Sequence, residues 1–289
     1  IATAVVRDLM EGRRMAQVMS MAMTAFMIVP IIAPSIGQLI LFVAPWRWIF
    51  GALLVYALIV LAWALIRLPE TLKPENRRAF NPPAIISAYA MVLRERQTVG
   101  YMFATTFITG CLFGYITSSE QLFVDVYNLG PAFPLAFASI AIAISAGTFL
   151  NSRLVVRHGM RRLSHIMIIG FTIAALVLAG IAQLGWATFP VFTIMLAITF
   201  AMFGFIASNF NALAMEPMGK VAGSASAIYG AVTATGGAIF GALIGRAFDG
   251  TVVPFAIGLA AAGAATLLSV LWTERGKLFG PAPALVRER

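Results

Sequence analysis

Residues 47–67 read RWIFGALLVYALIVLAWALIR, an apolar run with an arginine at each end and no charged residue between them. About 20 apolar residues suffice for a helix to cross the hydrocarbon core of a bilayer. Seven further runs have this length and character, at about 16–40, 98–118, 132–152, 164–184, 188–212, 222–244 and 252–272. The sequence therefore predicts an all-α polytopic membrane protein with eight complete transmembrane helices.

The composition of the whole chain agrees with this prediction. Its 289 residues are 61% hydrophobic and only 11% charged, whereas soluble globular domains are about 45–50% apolar and about 25% charged. The single cysteine, Cys111, lies inside an apolar run, which indicates buried packing and not a disulfide.

The basic residues fall on one side of the predicted spans. When the spans alternate across the membrane, all but two of the 20 lysines and arginines lie on one face, and the exceptions are Arg47 and Arg246. Basic loops stay in the cytoplasm, so we expect both ends of this chain there. The net charge of +9 is thus a topology signal. Because it is spread over several loops, it does not indicate a nucleic-acid surface.

The first predicted span is interrupted by the stretch MIVPIIAPSIGQLI at residues 27–40. Proline in a helix interior removes a backbone hydrogen bond, but membrane helices tolerate it where neighbouring groups satisfy the freed carbonyls. The prolines and the glycine recur at steps of three and four, so they share one face. They predict a bent helix with a flat face that another helix approaches closely; the alternative is an ordinary kink. The motif positions are Pro30, Ala33, Pro34 and Gly37, and Met23 and Met27 are candidate cavity residues.

Two later spans carry the mixed apolar and polar character of a ligand pocket. The span at 98–118 combines aromatic, small and hydroxyl side chains, although threonines also bond back to their own backbone. From these spans we predict a cavity wall of Phe107, Tyr115, Phe205 and Asn209. Glu120 and Glu216 are the candidate proton-coupling residues. Both lie near helix ends, and for Glu216 a simple headgroup position is the alternative.

The stretch RLVVRHGMRR at 153–162 joins two spans. Clustered arginines around a glycine turn suit a tight loop that pairs with helix C-termini and nearby carboxylates. Positive-inside signalling alone explains the charge but not the glycine. The predicted loop motif consists of Arg153, Arg157, Gly159, Arg161 and Arg162.

Two spans carry stripes of small residues that let helices pack closely. Static packing is the simpler interpretation for most of these positions, and a sliding face in a rocking transporter is the alternative. The stripes are Ser139, Ala143 and Gly147 in one span, and Gly223, Ala227, Gly230, Ala234, Gly237, Gly241 and Gly245 in the other.

Signals of enzymatic chemistry are poor. His158 and His165 lie on or beside the basic loop, with no carboxylate or cysteine at metal-ligand spacing. The GSASA stretch at 223–227 has no histidine within a span to activate a serine. No phosphate-binding glycine loop is present. We therefore expect no enzyme, no metal and no cofactor, with an ion gradient as the energy source.

Segment 68–97 is proline-rich and charged, which is typical of a linker between helical bundles. We predict the end of an N-terminal bundle at 1–67, a cytoplasmic central loop at 68–97 with a short helix over 84–93, and a C-terminal six-helix bundle with a tail at 98–289. The first residues, IATAVVRDLM, read as the end of a helix whose beginning is absent.

Together these motifs resemble the major facilitator superfamily and, within it, drug-resistance transporters of the Bcr/CflA type. The loop after the fourth helix of that family resembles VVRDLMEG (5–12), and the antiporter motif of its fifth helix resembles VPIIAPSIGQLI (29–40). The entry to the sixth helix resembles WRWIF (46–50), and the start of the central loop resembles LPETL (68–72). The loop between helices eight and nine of the family resembles RLVVRHGMRRL (153–163). The passage between helices ten and eleven resembles ALAMEPMGKVAGSASAIYG (212–230). Ala33 and Gln38 stand where the antiporter motif usually has glycine.

The resemblance implies twelve helices in two six-helix halves, with this chain beginning at the end of the fourth. It also implies proton-coupled efflux of drugs or small amphipathic molecules by alternating access, in a bacterial inner membrane, by a monomer. On this reading the proline face meets the face of Ser139, Ala143 and Gly147 across the two halves. The alternatives left open are a metabolite or sugar exporter of the same fold, a non-transporting membrane fragment and an intramembrane enzyme.

Overall fold

The computed structural model of the chain describes residue 29, residues 32–33 and 35–67, and residues 82–279. The chain divides into two compact units, Ile1–Asn81 and Pro82–Arg289. Within the described parts, seven helices are long and apolar enough to cross a membrane. They confirm seven of the eight predicted spans, and the span at 16–40 lies largely outside the described residues.

The described part of the first unit is helical. Residues 35–43 form a helix that ends just before Pro45, because proline has no N–H to continue the hydrogen-bond ladder. Helix α1, Arg47–Arg67, follows directly, and its last turn carries Arg67. A helix that is apolar on every side, as this one is, suits a bilayer.

The second unit is a bundle of six long helices, α3 to α8, preceded by the shorter α2. Helix α2 contains the helix predicted over 84–93, and α3 begins within the segment predicted as the central loop. The bounds are Pro82–Arg94 for α2, Arg96–Glu120 for α3, Phe133–His158 for α4, Met160–Gln183 for α5, Phe189–Met215 for α6, Ala222–Arg246 for α7 and Val253–Thr273 for α8. A π-helical segment, Gln121–Val126, extends α3, and a 3-10 segment, Glu216–Val221, links α6 to α7.

Helix α3 is the central element of this bundle, since it packs against α6, α7 and α8. Its buried residues contribute to a core dominated by aromatic rings. Tyr115 stacks on Phe137 of α4, with ring centroids 5.2 Å apart, and Phe200 of α6 lies at the same distance on another side. Burial of such rings is the main packing contribution between these helices.

Helices α4 and α6 approach closely through reciprocal glycines. A methyl group on Gly147 would overlap the carbonyl oxygen of Ala201, and one on Gly204 would lie 2.5 Å from the carbonyl oxygen of Ile144. Small residues permit this backbone-to-backbone contact. The expectation that Gly147 lies on a sliding face is therefore wrong: it is buried inside its own bundle, because α6 occupies the space beside it.

The small-residue stripe of α7 divides into two parts. Gly237 and Gly241 pack against α3 beside Phe113, whereas an added Cβ on Gly223 or Gly230 would meet no described atom within 4 Å. Static packing therefore accounts for the second half of the stripe, and the first half is uncovered within this unit.

Candidate functional site

The loop between α4 and α5 aims one arginine into the bundle. Gly159 ends α4 with φ +79°, a conformation that residues other than glycine rarely adopt. Helix α5 begins immediately afterwards. Arg161 is only 8% exposed, whereas Arg153, Arg157 and Arg162 are exposed to the outside.

Arg161 is held by hydrogen bonds from both terminal nitrogens. Its Nη1 donates to the two carboxylate oxygens of Glu274, at 2.6 and 2.7 Å. Its Nη2 donates to Gln97 Oε1 at 2.8 Å and to Glu216 Oε2 at 3.3 Å. Charge-assisted bonds of this kind are the strong ones, and the planar guanidinium suits several acceptors at once.

Gln97 connects the same group to the end of α6. Its amide nitrogen donates to Leu213 O and to Glu216 Oε2, both at 2.8 Å. Thr98 beside it donates to Ala214 O at 2.8 Å. These bonds satisfy carbonyls of the last turn of α6, which have no partner within their own helix.

The second layer of this group consists of Tyr101, His165 and the chain after α8. Tyr101 OH donates to Glu274 Oε1 at 2.6 Å and lies 3.0 Å from His165 Nε2. On the other side of the imidazole, the backbone N–H of Phe279 donates to Nδ1 at 3.2 Å, and the two rings meet edge to face. His165 has no solvent exposure.

We call these residues, Gln97, Tyr101, Arg161, His165, Glu216 and Glu274, the polar cluster. It ties together the start of α3, the start of α5, the end of α6 and the chain leaving α8, all at the end of the bundle that carries the basic loop. Its fixed charges are one arginine and two glutamates. A cavity of about 410 Å³, lined partly by Arg96 and Arg275, adjoins it. Among the described residues, no group of three or more histidine, cysteine or acidic side chains could hold a metal.

The predicted cavity-wall residues do not share one surface. Phe107 packs edge to face on Phe240 of α7, and both line a groove of about 690 Å³ between α3, α7 and α8, with Asp249 at its rim. Tyr115 is 1% exposed and lies in the aromatic core, with its hydroxyl directed to Phe137 O at 3.4 Å. Their role in binding a substrate stays a prediction.

The two predicted wall residues on α6 are buried as well. Phe205 is 6% exposed and Asn209 is 3% exposed. Asn209 forms a reciprocal amide pair with Asn151 of α4, in which the two Nδ2···Oδ1 distances are 2.8 and 3.3 Å. Paired amides satisfy each other inside an apolar bundle, where an unpaired polar group is costly.

The two candidate proton-coupling residues lie at different ends of the bundle. Glu216 belongs to the polar cluster, 3.3 Å from Arg161, with its side chain 31% exposed. Glu120 is exposed at the last position of α3, about 35 Å along the helix from Gln97 at the helical rise per residue. Their roles in proton movement stay predictions.

The predicted antiporter helix lies mostly outside the described residues. The candidate residues that lie outside the described part are Met23, Met27, Pro30 and Pro34. Ala33 and Gly37 are helical, and a Cβ added to Gly37 would meet no described atom within 4 Å.

Sequence reasoning missed four members of the polar cluster. His165 was placed beside the loop, but α5 begins at Met160, so it lies more than one turn inside the helix, facing inward. The signal available was its spacing of four from Arg161, which puts both side chains on one helix face. Glu274, Gln97 and Tyr101 come from distant parts of the chain, and no local pattern links them.

The sequence of the chain matches a family of known proteins. The family model described as Major Facilitator Superfamily matches residues 1–242. A bicyclomycin resistance protein homolog of Haemophilus influenzae is 29% identical over 273 residues, which cover 93% of this chain and 67% of the relative. The uncharacterized MFS-type transporter YdgK of Bacillus subtilis is 29% identical over 250 residues, covering 85% and 61%.

A shorter match agrees with these two. The multidrug resistance protein MdtL of Shewanella oneidensis is 30% identical over 122 residues, 42% of this chain and 30% of the relative. The chain spans 67% and 61% of the two longer matches. The predicted resemblance to the Bcr/CflA type is confirmed by the bicyclomycin resistance relative. Because the superfamily model covers most of its length, the chain belongs to the Major Facilitator Superfamily.

Proposed function

We infer that this chain is part of a secondary transporter that exports drugs or small amphipathic molecules in exchange for protons. Membership of the superfamily indicates a transporter and not an enzyme. The observation that carries the efflux proposal is the set of relatives named for bicyclomycin and multidrug resistance. Export, the substrates and the proton coupling are properties of the whole protein, and we propose them here for the protein to which this chain belongs.

The direction of the chain in the membrane follows from its charges. The basic loop that supplies Arg161 and the two chain ends share the side that carries all but two of the lysines and arginines. We place that side in the cytoplasm of a bacterium, with the helices in the inner membrane. The protein then works as a monomer with the bilayer, protons and a small-molecule substrate as its partners.

The polar cluster supports a mechanism by rigid-body rocking. Alternating access moves one helical bundle against another around a central site. For that motion the bundle ends have to stay together, and the bonds of Arg161 to Gln97, Glu216 and Glu274 join four segments at the cytoplasmic end. The energy comes from the proton gradient, without a cofactor, and Glu216 and Glu120 are the proposed proton-coupling residues.

The test is efflux of a fluorescent drug from an efflux-deficient bacterium that expresses the full-length gene product, with and without a protonophore. The expected result is a lower cellular drug content that returns to the vector level when the protonophore is added. Efflux that persists with the protonophore contradicts proton coupling. If no compound of a broad panel is exported while the protein is present in the membrane, the drug assignment is wrong.

A further inference from the structure

The hydrogen bonds around His165 fix the position of its proton. The hydroxyl of Tyr101 has a single hydrogen, and it donates that hydrogen to Glu274 Oε1 at 2.6 Å. Toward His165 Nε2, 3.0 Å away, the tyrosine oxygen can therefore only accept. The Nε2 atom has to carry a hydrogen.

The other ring nitrogen is an acceptor. The backbone N–H of Phe279 points at His165 Nδ1, with 3.2 Å between the nitrogens. A backbone amide can only donate, so Nδ1 has to present its lone pair. His165 is thus the neutral Nε2–H tautomer, and each of its nitrogens has one partner.

The charged groups around this imidazole carry a net charge of one negative unit, which one additional proton would neutralise. Arg161 lies on the same helix and Glu274 on the segment after α8, with Tyr101 on α3 between the glutamate and the ring. Glu216 faces Arg161 from the end of α6. With a neutral imidazole, the polar cluster contains one cation and two carboxylates. Protonation of the imidazole makes the number of positive and negative charges equal.

The segment that follows α8 is held in an unfavourable backbone conformation. Phe279 has φ +67° and Arg275 has φ +53°, values that residues other than glycine rarely adopt. The Phe279 N–H bond to Nδ1 and the edge-to-face ring contact, with centroids 5.9 Å apart, fasten the end of this segment. Backbone bonds from Gly276 N–H to Leu271 O and from Lys277 N–H to Glu274 O hold the start of the segment to the end of α8. Loss of the acceptor at Nδ1 therefore acts on the end of the segment, at Phe279.

We propose that His165 is a proton-binding site that controls the attachment of residues 275–279 to the bundle. A proton that binds Nδ1 takes the lone pair that Phe279 N–H uses, and two N–H groups then face each other. The imidazolium stays in the cluster beside Glu274, while the segment around Phe279 is released. This inference does not depend on the transported substrate or on its direction.

The first test follows the mobility of the segment. The full-length gene product, purified in detergent without other reactive cysteines, carries a spin label at Lys277→Cys, an exposed position in the segment. We expect an immobilised spectrum at pH 8 and a mobile one at pH 5, because a proton on Nδ1 removes the acceptor that Phe279 N–H uses. In the His165→Gln background the spectrum stays the same across this range, since an amide takes up no proton there.

The matched control is His158→Gln, which removes the exposed histidine of the loop and should leave the transition in place. A parent spectrum that does not change between pH 8 and pH 5 overturns the proposal, as does the same transition in His165→Gln. A second measurement does not require that variant to fold. In the ¹⁵N-histidine spectrum of the His158→Gln protein at pH 8, His165 should be the Nε2–H tautomer, and the opposite tautomer contradicts the assignment.

Discussion

Arg161 and Glu274, which are 113 residues apart in the sequence, form an ion pair in which Nη1 of the arginine lies 2.6 and 2.7 Å from the two carboxylate oxygens. Their side chains are 9% and 10% exposed, so neither charge is well solvated. Removing one partner of such a pair leaves the other charge buried and alone, which is far more costly than losing a surface contact.

Arg161→Gln should therefore destabilise the bundle by roughly 3–5 kcal/mol. Two carboxylates then lie in the polar cluster without a cation. The measurement is thermal unfolding of the purified transporter in detergent, beside Arg162→Gln as the exposed neighbour. Equal midpoints for the two variants would contradict a role for the buried arginine.

Arg161→Lys separates charge from geometry. Lysine keeps the positive charge, but a single ammonium group cannot reproduce the planar set of bonds to Glu274, Gln97 and Glu216. We expect an unfolding midpoint between those of the parent protein and Arg161→Gln, and reduced transport. A lysine variant with parental stability and transport would indicate that charge alone matters.

The amide pair of Asn151 and Asn209 should behave as a coupled unit. Asn209→Ala leaves Asn151 with Ser208 as its remaining partner, at 3.2 Å, and should cost about 1–2 kcal/mol. Adding Asn151→Ala should cost much less than in the parent protein, because the partner is already absent. If Asn209 instead binds substrate, its variant changes the drug profile without changing stability, and the double mutant shows no coupling.

The close approach of α4 and α6 makes opposite predictions for two glycines. Gly147→Ala should lower the unfolding midpoint, because the new methyl group overlaps the Ala201 carbonyl oxygen. Gly230→Ala should be neutral or stabilising, since its Cβ meets no atom of the described residues within 4 Å and alanine favours helix. Thermal unfolding of the two variants, side by side, tests the packing.

Pro34→Leu should abolish most of the drug efflux. This prediction rests on the sequence motif, in which two prolines and a glycine share a helix face. The measurement is the efflux assay described above, with membrane insertion checked by immunoblot. Unchanged efflux in this variant would sink the antiporter-motif argument.

The helices were predictable because each is a long apolar run bounded by charge, and the bilayer imposes that length. Gly159 was predictable as a turn because a glycine lies between two arginine-bearing helix ends. Tyr101, His165 and Glu274 were not, since they meet only when α3, α5 and α8 pack together. The neighbour of Gly147 was also predicted wrongly. A stripe of small residues indicates that another helix packs closely, but it does not show which helix, and here that helix is α6.

The separation of Arg161 from its partners has a consequence for biosynthesis. When α5 leaves the ribosome, Gln97 has already been made, but Glu274 lies 113 residues downstream. At typical rates of translation that interval lasts about 6–23 s. During that interval Glu274 is absent, and the long side chain of Arg161, at the start of α5, can extend to the lipid headgroups, since an unpaired charge does not remain in hydrocarbon. Completion of α8 is therefore the event that supplies Glu274 and completes the set of bonds around Arg161.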